Sequence, residues 1–102
     1  MHDGSIDIDA ILAMDNRILS IEALPDFHLK LDYADGTVYT LDFRPIIAKG
    51  GVMQALRNDE VFKQVHVAHD GIAIEFPGGM DFCADSLRVD AELQLSRAAD
   101  NS

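Results

Sequence analysis

The chain has 102 residues, 48% of them hydrophobic, with 18 Asp and Glu against 8 Lys and Arg for a net charge of −10. That length holds one domain with a modest core, and the hydrophobic share is too high for a chain that stays disordered. The acid excess opposes contact with polyanions, and no apolar run reaches the roughly 20 residues of a membrane-crossing helix.

Residues 1–16 carry Ile6, Ile8, Ile11, Leu12 and Met14 among acids. Ser5 suits the cap of a short helix from Ile6, while the alternation of Ile6, Asp7, Ile8 and Asp9 suits a strand equally well. The segment reads as an extension of a domain over 17–97, and 98–102 as a frayed tail. From Arg17 a strand sets in, with Leu19, Ile21 and Ala23 on one face up to Pro25. Phe27, Leu29, Leu31 and Tyr33 then alternate with polar residues, and after Ala34-Asp35-Gly36 the apolar positions return at Tyr39, Leu41 and Phe43. A two-residue turn would set Leu31 against Thr40 and throw the apolar sets onto opposite faces. A three-residue loop instead pairs Leu31 with Tyr39, Leu29 with Leu41 and Phe27 with Phe43, with Gly36 at the left-handed bulge position.

Arg44-Pro45 opens a helical turn that Gly50-Gly51 ends, and Val52, Met53, Leu56 and Arg57 predict a second short helix. Asp59 is placed to cap a last turn holding Val61 and Phe62. Helices this short need the sheet's apolar face as a partner. In the second hairpin, a type I′ turn at Asp70-Gly71 pairs His69 with Ile72, Val67 with Ile74 and Val65 with Phe76 on one face. Pro77-Gly78-Gly79 breaks the strand, Met80, Phe82 and Cys83 form a short extended piece, and Asp85 caps a C-terminal helix that uses Leu87, Ala91 and Leu95. The predicted fold is α+β: an antiparallel sheet of about five strands from two β-hairpins, short helices packed on one face, and a C-terminal helix. Neither of its open edges is rich in Lys or Pro, which suits strand-to-strand homodimerisation.

The run from Arg17 to Leu87 resembles the bacterial domain-of-unknown-function family 2442. The resemblance rests on the strand before Leu24-Pro25, the hairpin ending in Asp42, the Pro45 and Gly50 turn, Leu56, Asp59 with Phe62, and above all the block from Gly71 to Phe82. In that block the family usually has Trp-Pro followed by Asn-Gly-Ala-Asp, where this chain has Phe76, Gly78 and Met80 as departures. The signature positions are Gly36, Asp42, Pro45, Gly50, Gly71, Phe76, Pro77, Gly79 and Asp81. The resemblance implies a compact α+β domain, alone in some members and joined to a C-terminal helix-turn-helix in others. Too little sequence follows Leu87 for that second arrangement. Some members look like the partner half of two-gene modules of toxin–antitoxin type, and no activity is implied.

Candidate chemistry is sparse. His28 faces Asp42 and His66 faces Glu75 across the hairpins, where solvated pairs contribute about 0.2–1 kcal/mol. His66 and His69, three apart in a strand, project to opposite faces and cannot share a metal ion. Cys83 lies between Asp81 and Asp85, the wrong setting for a nucleophile, and reads as a small buried thiol beside Phe82. Its being the lone cysteine fits a reducing compartment, and Met1 to Ser5 lacks a leader pattern, so a cytoplasmic protein is expected. Asp81 either accepts backbone N–H bonds that lock the Gly-Gly turn or faces a partner.

No cofactor is expected. The functional expectation is a non-catalytic interaction or regulatory module, the neutralising, antitoxin-like partner in a two-protein bacterial module. The alternative is a small-molecule binder or enzyme with a pocket between sheet and helices, where Tyr33, Tyr39, His69 and Asp81 supply polar groups. Expected partners are a basic protein, to which an acidic surface is suited, and a second copy through a sheet edge, with no direct nucleic acid and no membrane.

Overall fold

A computed structural model of the chain describes residues 7–100. Helix α1 (Ile8–Leu12) leads into strand β1 (Ile18–Leu24), then β2 (His28–Tyr33) and β3 (Val38–Asp42). Short helix α2 (Arg44–Ile47), a 3-10 stretch (Gly51–Arg57) and α3 (Asp59–Phe62) follow, then β4 (His66–Ala68), β5 (Ala73–Phe76), β6 (Met80–Cys83) and α4 (Ala84–Asp100). The α+β class stands, with six strands among the described residues in two three-stranded antiparallel sheets, β1-β2-β3 and β4-β5-β6, in place of one sheet of about five. The sheets meet where β1 runs beside β4. No ladder crosses that seam.

The first hairpin has the predicted register: Leu31 opposes Tyr39, Leu29 opposes Leu41, and the Phe43 N–H donates to the Phe27 carbonyl. The loop 34–36 closes with the Gly36 N–H on the Tyr33 carbonyl. In β1, Ile21 and Ala23 pack against the core as predicted, and only the start of the strand departs from its predicted face. A register shift between Ile18 and Ser20 turns Ile18 into the core and leaves Leu19 66% exposed, because the extra residue of a bulge reverses which side chains point inward.

In the second hairpin Val67 opposes Ile74 and His66 opposes Glu75. Asp70 (φ 56, ψ 30) and Gly71 (φ 95) form the type I′ turn, closed by the Ile72 N–H on the His69 carbonyl. His69 itself is also left-handed (φ 53), so the ladder ends at Ala68 and Ala73. His69 and Ile72 are therefore exposed rather than paired on the apolar face. Val65 and Phe76 both lie just beyond the ladder's open end, past His66 and Glu75, Val65 half-buried and Phe76 buried. Gly71 is held against the seam: a Cβ there would stand 2.8 Å from the Ile18 carbonyl oxygen.

The inner faces enclose Leu29, Leu31, Leu41, Phe43, Ile74 and Phe76, with Leu56 and Phe62 from the helical connection and Ala84, Leu87 and Ala91 from α4. Phe62 stacks on Phe76 at 5.6 Å between ring centres, and Phe82 meets Phe43 edge-on at 5.1 Å. Buried rings of this size dominate core energetics.

Several caps differ from expectation. α1 is a helix capped by Asp7, whose carboxylate accepts the Ala10 N–H, and Ile11 and Asn16 of the predicted extension are buried. Ser5 lies outside the described residues, as do 101 and 102 of the predicted tail; α4 runs on to Asp100. Asn58, not Asp59, caps α3 by accepting the Glu60 N–H, since Asp59 is already inside the helix and pairs with Lys63. α4 starts at Ala84, which puts Asp85 within its first turn, where a negative charge favours the helix dipole. Ala84, Leu87, Arg88 and Ala91 form its buried stripe; Leu95 continues that stripe beyond the core and is 58% exposed.

Candidate functional site

The helical spacing that buries Leu87 and Ala91 also buries Arg88, which is 2% exposed. Its guanidinium donates from Nε to the Tyr39 hydroxyl (3.0 Å), from Nη1 to Asn16 Oδ1 (3.1 Å), and from Nη2 to Asp35 Oδ2 (2.8 Å) and Thr37 Oγ1 (3.0 Å). It lies 4.8 Å from the Tyr33 ring centre and 5.5 Å from that of Tyr39. The Tyr33 hydroxyl donates to the Ala84 carbonyl (2.8 Å) and that of Tyr39 to Glu92 Oε2 (2.5 Å). Burial pushes the ionisation of both phenols upward, and the Arg88 guanidinium holds the Asp35 carboxyl below the usual carboxylate range. Every polar atom named here points at another, so Tyr33 and Tyr39 serve as ties between sheet, loop and α4. Both are buried.

His69 and Asp81, expected beside the tyrosines, are elsewhere. His69 stands exposed in the second turn, and Asp81 is exposed on the outer face of β6 opposite Glu75. Among the described residues no hydrogen bond reaches the Asp81 carboxylate, so the turn before it is made by the left-handed Gly78 and Gly79 alone. Cys83 shares that outer face and is exposed rather than buried, since alternation along β6 sends Met80 and Phe82 inward instead.

Both predicted histidine registers are present. His66 Nε2 lies 3.1 Å from Glu75 Oε1. Asp42, opposite His28, is instead taken by Arg44 through two bonds of 2.9 and 2.8 Å, which hold its carboxyl below the ordinary range. Among the described residues no three His, Cys, Asp or Glu gather as a metal-binding set, and no helix is long and apolar enough to cross a membrane.

A groove of about 440 Å³ opens between α2 and the second half of α4, with Pro45, Ile46 and Leu93 as apolar walls. Its floor is fixed by Gln94, whose amide accepts the Asp42 N–H (2.9 Å) and donates to the Asp42 carbonyl (2.8 Å), as a neighbouring strand would. Asp90, Lys49 and Arg97 supply its charges beside Asp42, whose carboxylate is already neutralised by Arg44. Burial raises the Asp90 ionisation, against the pull of both cations. Sequence reasoning missed Arg88 and Asp90 alike. Position 88 lies on the 84, 87, 91 stripe, the signal that could have marked it; nothing local marks Asp90.

The family model for a protein of unknown function, DUF2442, matches residues 18–91. The chain belongs to the DUF2442 family. Its DUF2442 signature positions have visible duties here: Gly36 and Gly71 make the hairpin turns, Gly50 and Gly79 other turns, Pro45 the first turn of α2, and Phe76 the core. Pro77 opens the loop between β5 and β6. A crystal structure from Nitrosomonas europaea, named a putative DNA binding protein, is similar with a TM-score of 0.70 and 24% identity. The match covers 78% of this chain and 50% of that one, so the chain spans half the neighbour's length and shares its fold. No curated protein matches the chain.

Proposed function

We propose that this DUF2442 protein is a non-catalytic interaction module of the bacterial cytoplasm whose partner is a basic protein, in the manner of the neutralising half of a two-protein module. Charge carries the reading. Four of the eight cations, Arg17, Arg44, Lys63 and Arg88, are already paired with Asp15, Asp42, Asp59 and Asp35, which leaves the acid excess to the surface. Such a surface steers cationic partners and repels polyanions. Co-purification of the tagged protein from its host tests it. The expected result is a stoichiometric basic protein whose retention falls between about 0.1 and about 1 M salt, as screening shortens. Recovery of the protein without a basic partner would overturn it.

A second copy is the other partner in this reading, because β6 pairs on one side only, whereas Gln94 already meets the outer edge of β3 at Asp42. Light scattering on the purified protein that finds only monomer removes it. Contact with DNA is a further reading, favoured by the name of the Nitrosomonas neighbour. The net charge of −10 opposes it. Anisotropy with labelled duplex DNA at low salt should show no binding.

A further inference from the structure

We propose that the groove between α2 and α4 binds a small α-amino acid as a zwitterion, with Asp90 receiving its ammonium group and Lys49 and Arg97 its carboxylate. Three observations lead there. First, the Asp90 side chain is half-buried on the groove wall, yet among the described residues it has no hydrogen bond and no ion pair. A carboxylate in that position has lost water without gaining a donor, and a cation entering the groove would supply one. Second, Lys49 and Arg97 line the same groove and act on Asp90 through space, but neither closes on it. Third, the walls of Pro45, Ile46 and Leu93 are apolar, and Gln94 is immobilised by its two bonds to Asp42, so the floor is preformed. The volume of about 440 Å³ falls within the roughly 300–1,000 Å³ of small-molecule sites.

The pattern of charge selects the ligand class. A simple anion would meet Lys49 and Arg97 but be repelled by Asp90, and a simple cation would meet Asp90 but be repelled by the other two. A molecule carrying both charged groups on one carbon satisfies all three, and the apolar walls take a short aliphatic side chain. This site is separate from the basic-protein reading and stands or falls without it.

The test is an NMR titration of the 15N-labelled full chain with a panel of α-amino acids, with acetate and methylamine as single-charge probes. Saturable shifts confined to residues 42–49 and 90–97 are expected with at least one aliphatic amino acid and with neither single-charge probe. Asp90→Asn should weaken that binding roughly tenfold or more, while Arg97→Gln and Lys49→Gln weaken it less, since each leaves one cation in place. Asp90→Asn removes an unpartnered charge, so its melting temperature should match or exceed that of the wild type, which separates lost binding from lost fold. Absence of shifts across the panel, equal shifts with acetate, or an Asp90→Asn protein that binds like wild type would each overturn the proposal.

Discussion

The inner face of the first sheet carries Tyr33 and Tyr39, whose hydroxyls end on Ala84 and Glu92 and whose rings flank a buried guanidinium; the inner face of the second carries Ile74, Phe76 and Phe82, packed ring on ring. One side is closed by a directional, charged network and the other by shape alone. Polar closure demands that each donor find its acceptor, whereas apolar closure demands only volume. The two sides should therefore fail in different ways.

The largest effects test the closures directly. Arg88→Ala leaves Asp35, Asn16, Thr37 and Tyr39 without their shared donor and should cost about 3–5 kcal/mol in urea unfolding, as broken buried ion pairs do. Arg88→Lys should recover little, because a single ammonium cannot span those acceptors. Phe76→Ala should cost a similar amount, about 3–5 kcal/mol, through the cavity it leaves among Phe43, Phe62 and Phe82. A loss below about 1 kcal/mol for Arg88→Ala would mean that the network decorates the fold without holding it.

The turns extend the contrast. Gly36 (φ 89) has open space around it, so Gly36→Ala should cost about 1 kcal/mol from backbone conformation alone. Gly71→Ala adds a collision with the Ile18 backbone and should cost about 2–3 kcal/mol. Equal losses in the two variants would show that the seam between the sheets yields easily.

Acid should separate the two sides as well. The Asp35 and Asp42 carboxyls titrate below their ordinary range, so the stability they contribute is present above the unfolded value of about 4 and is lost as pH falls through their folded values. Tyr33 and Tyr39 titrate above their ordinary range, so their contribution is present below about pH 10 and is lost as pH rises. Urea midpoints measured across pH should thus form a plateau with falling limbs at both ends, and Arg88→Ala should flatten the acid limb more than Phe76→Ala does. Glu75→Gln, which weakens the exposed contact with His66 and relieves the like charge opposite at Asp81, should shift stability by no more than about 1 kcal/mol.

Both hairpin registers were legible because a one-residue slip would have sent Leu29 and Leu41, or Val67 and Ile74, to opposite faces. The same logic failed at Leu19, where a bulge reversed the alternation, and at Cys83, whose neighbour Phe82 took the inward position. Of the four residues expected in one pocket, Tyr33 and Tyr39 came together and His69 and Asp81 did not. Their patterns say which face each occupies within its own strand. They do not say which strand lies across from it.

What the sequence by itself determined is the pairing inside each hairpin and the short helices between them, since period, turn glycines and proline positions act over a few residues. Only the tertiary structure decided that the hairpins form two sheets meeting at Gly71, and that Arg88 reaches Asn16 across 72 positions of chain. It alone put Asp90 in a groove with Lys49 and Arg97. Such contacts depend on the approach of distant segments, and the energy that selects them belongs to the packed whole rather than to any local run.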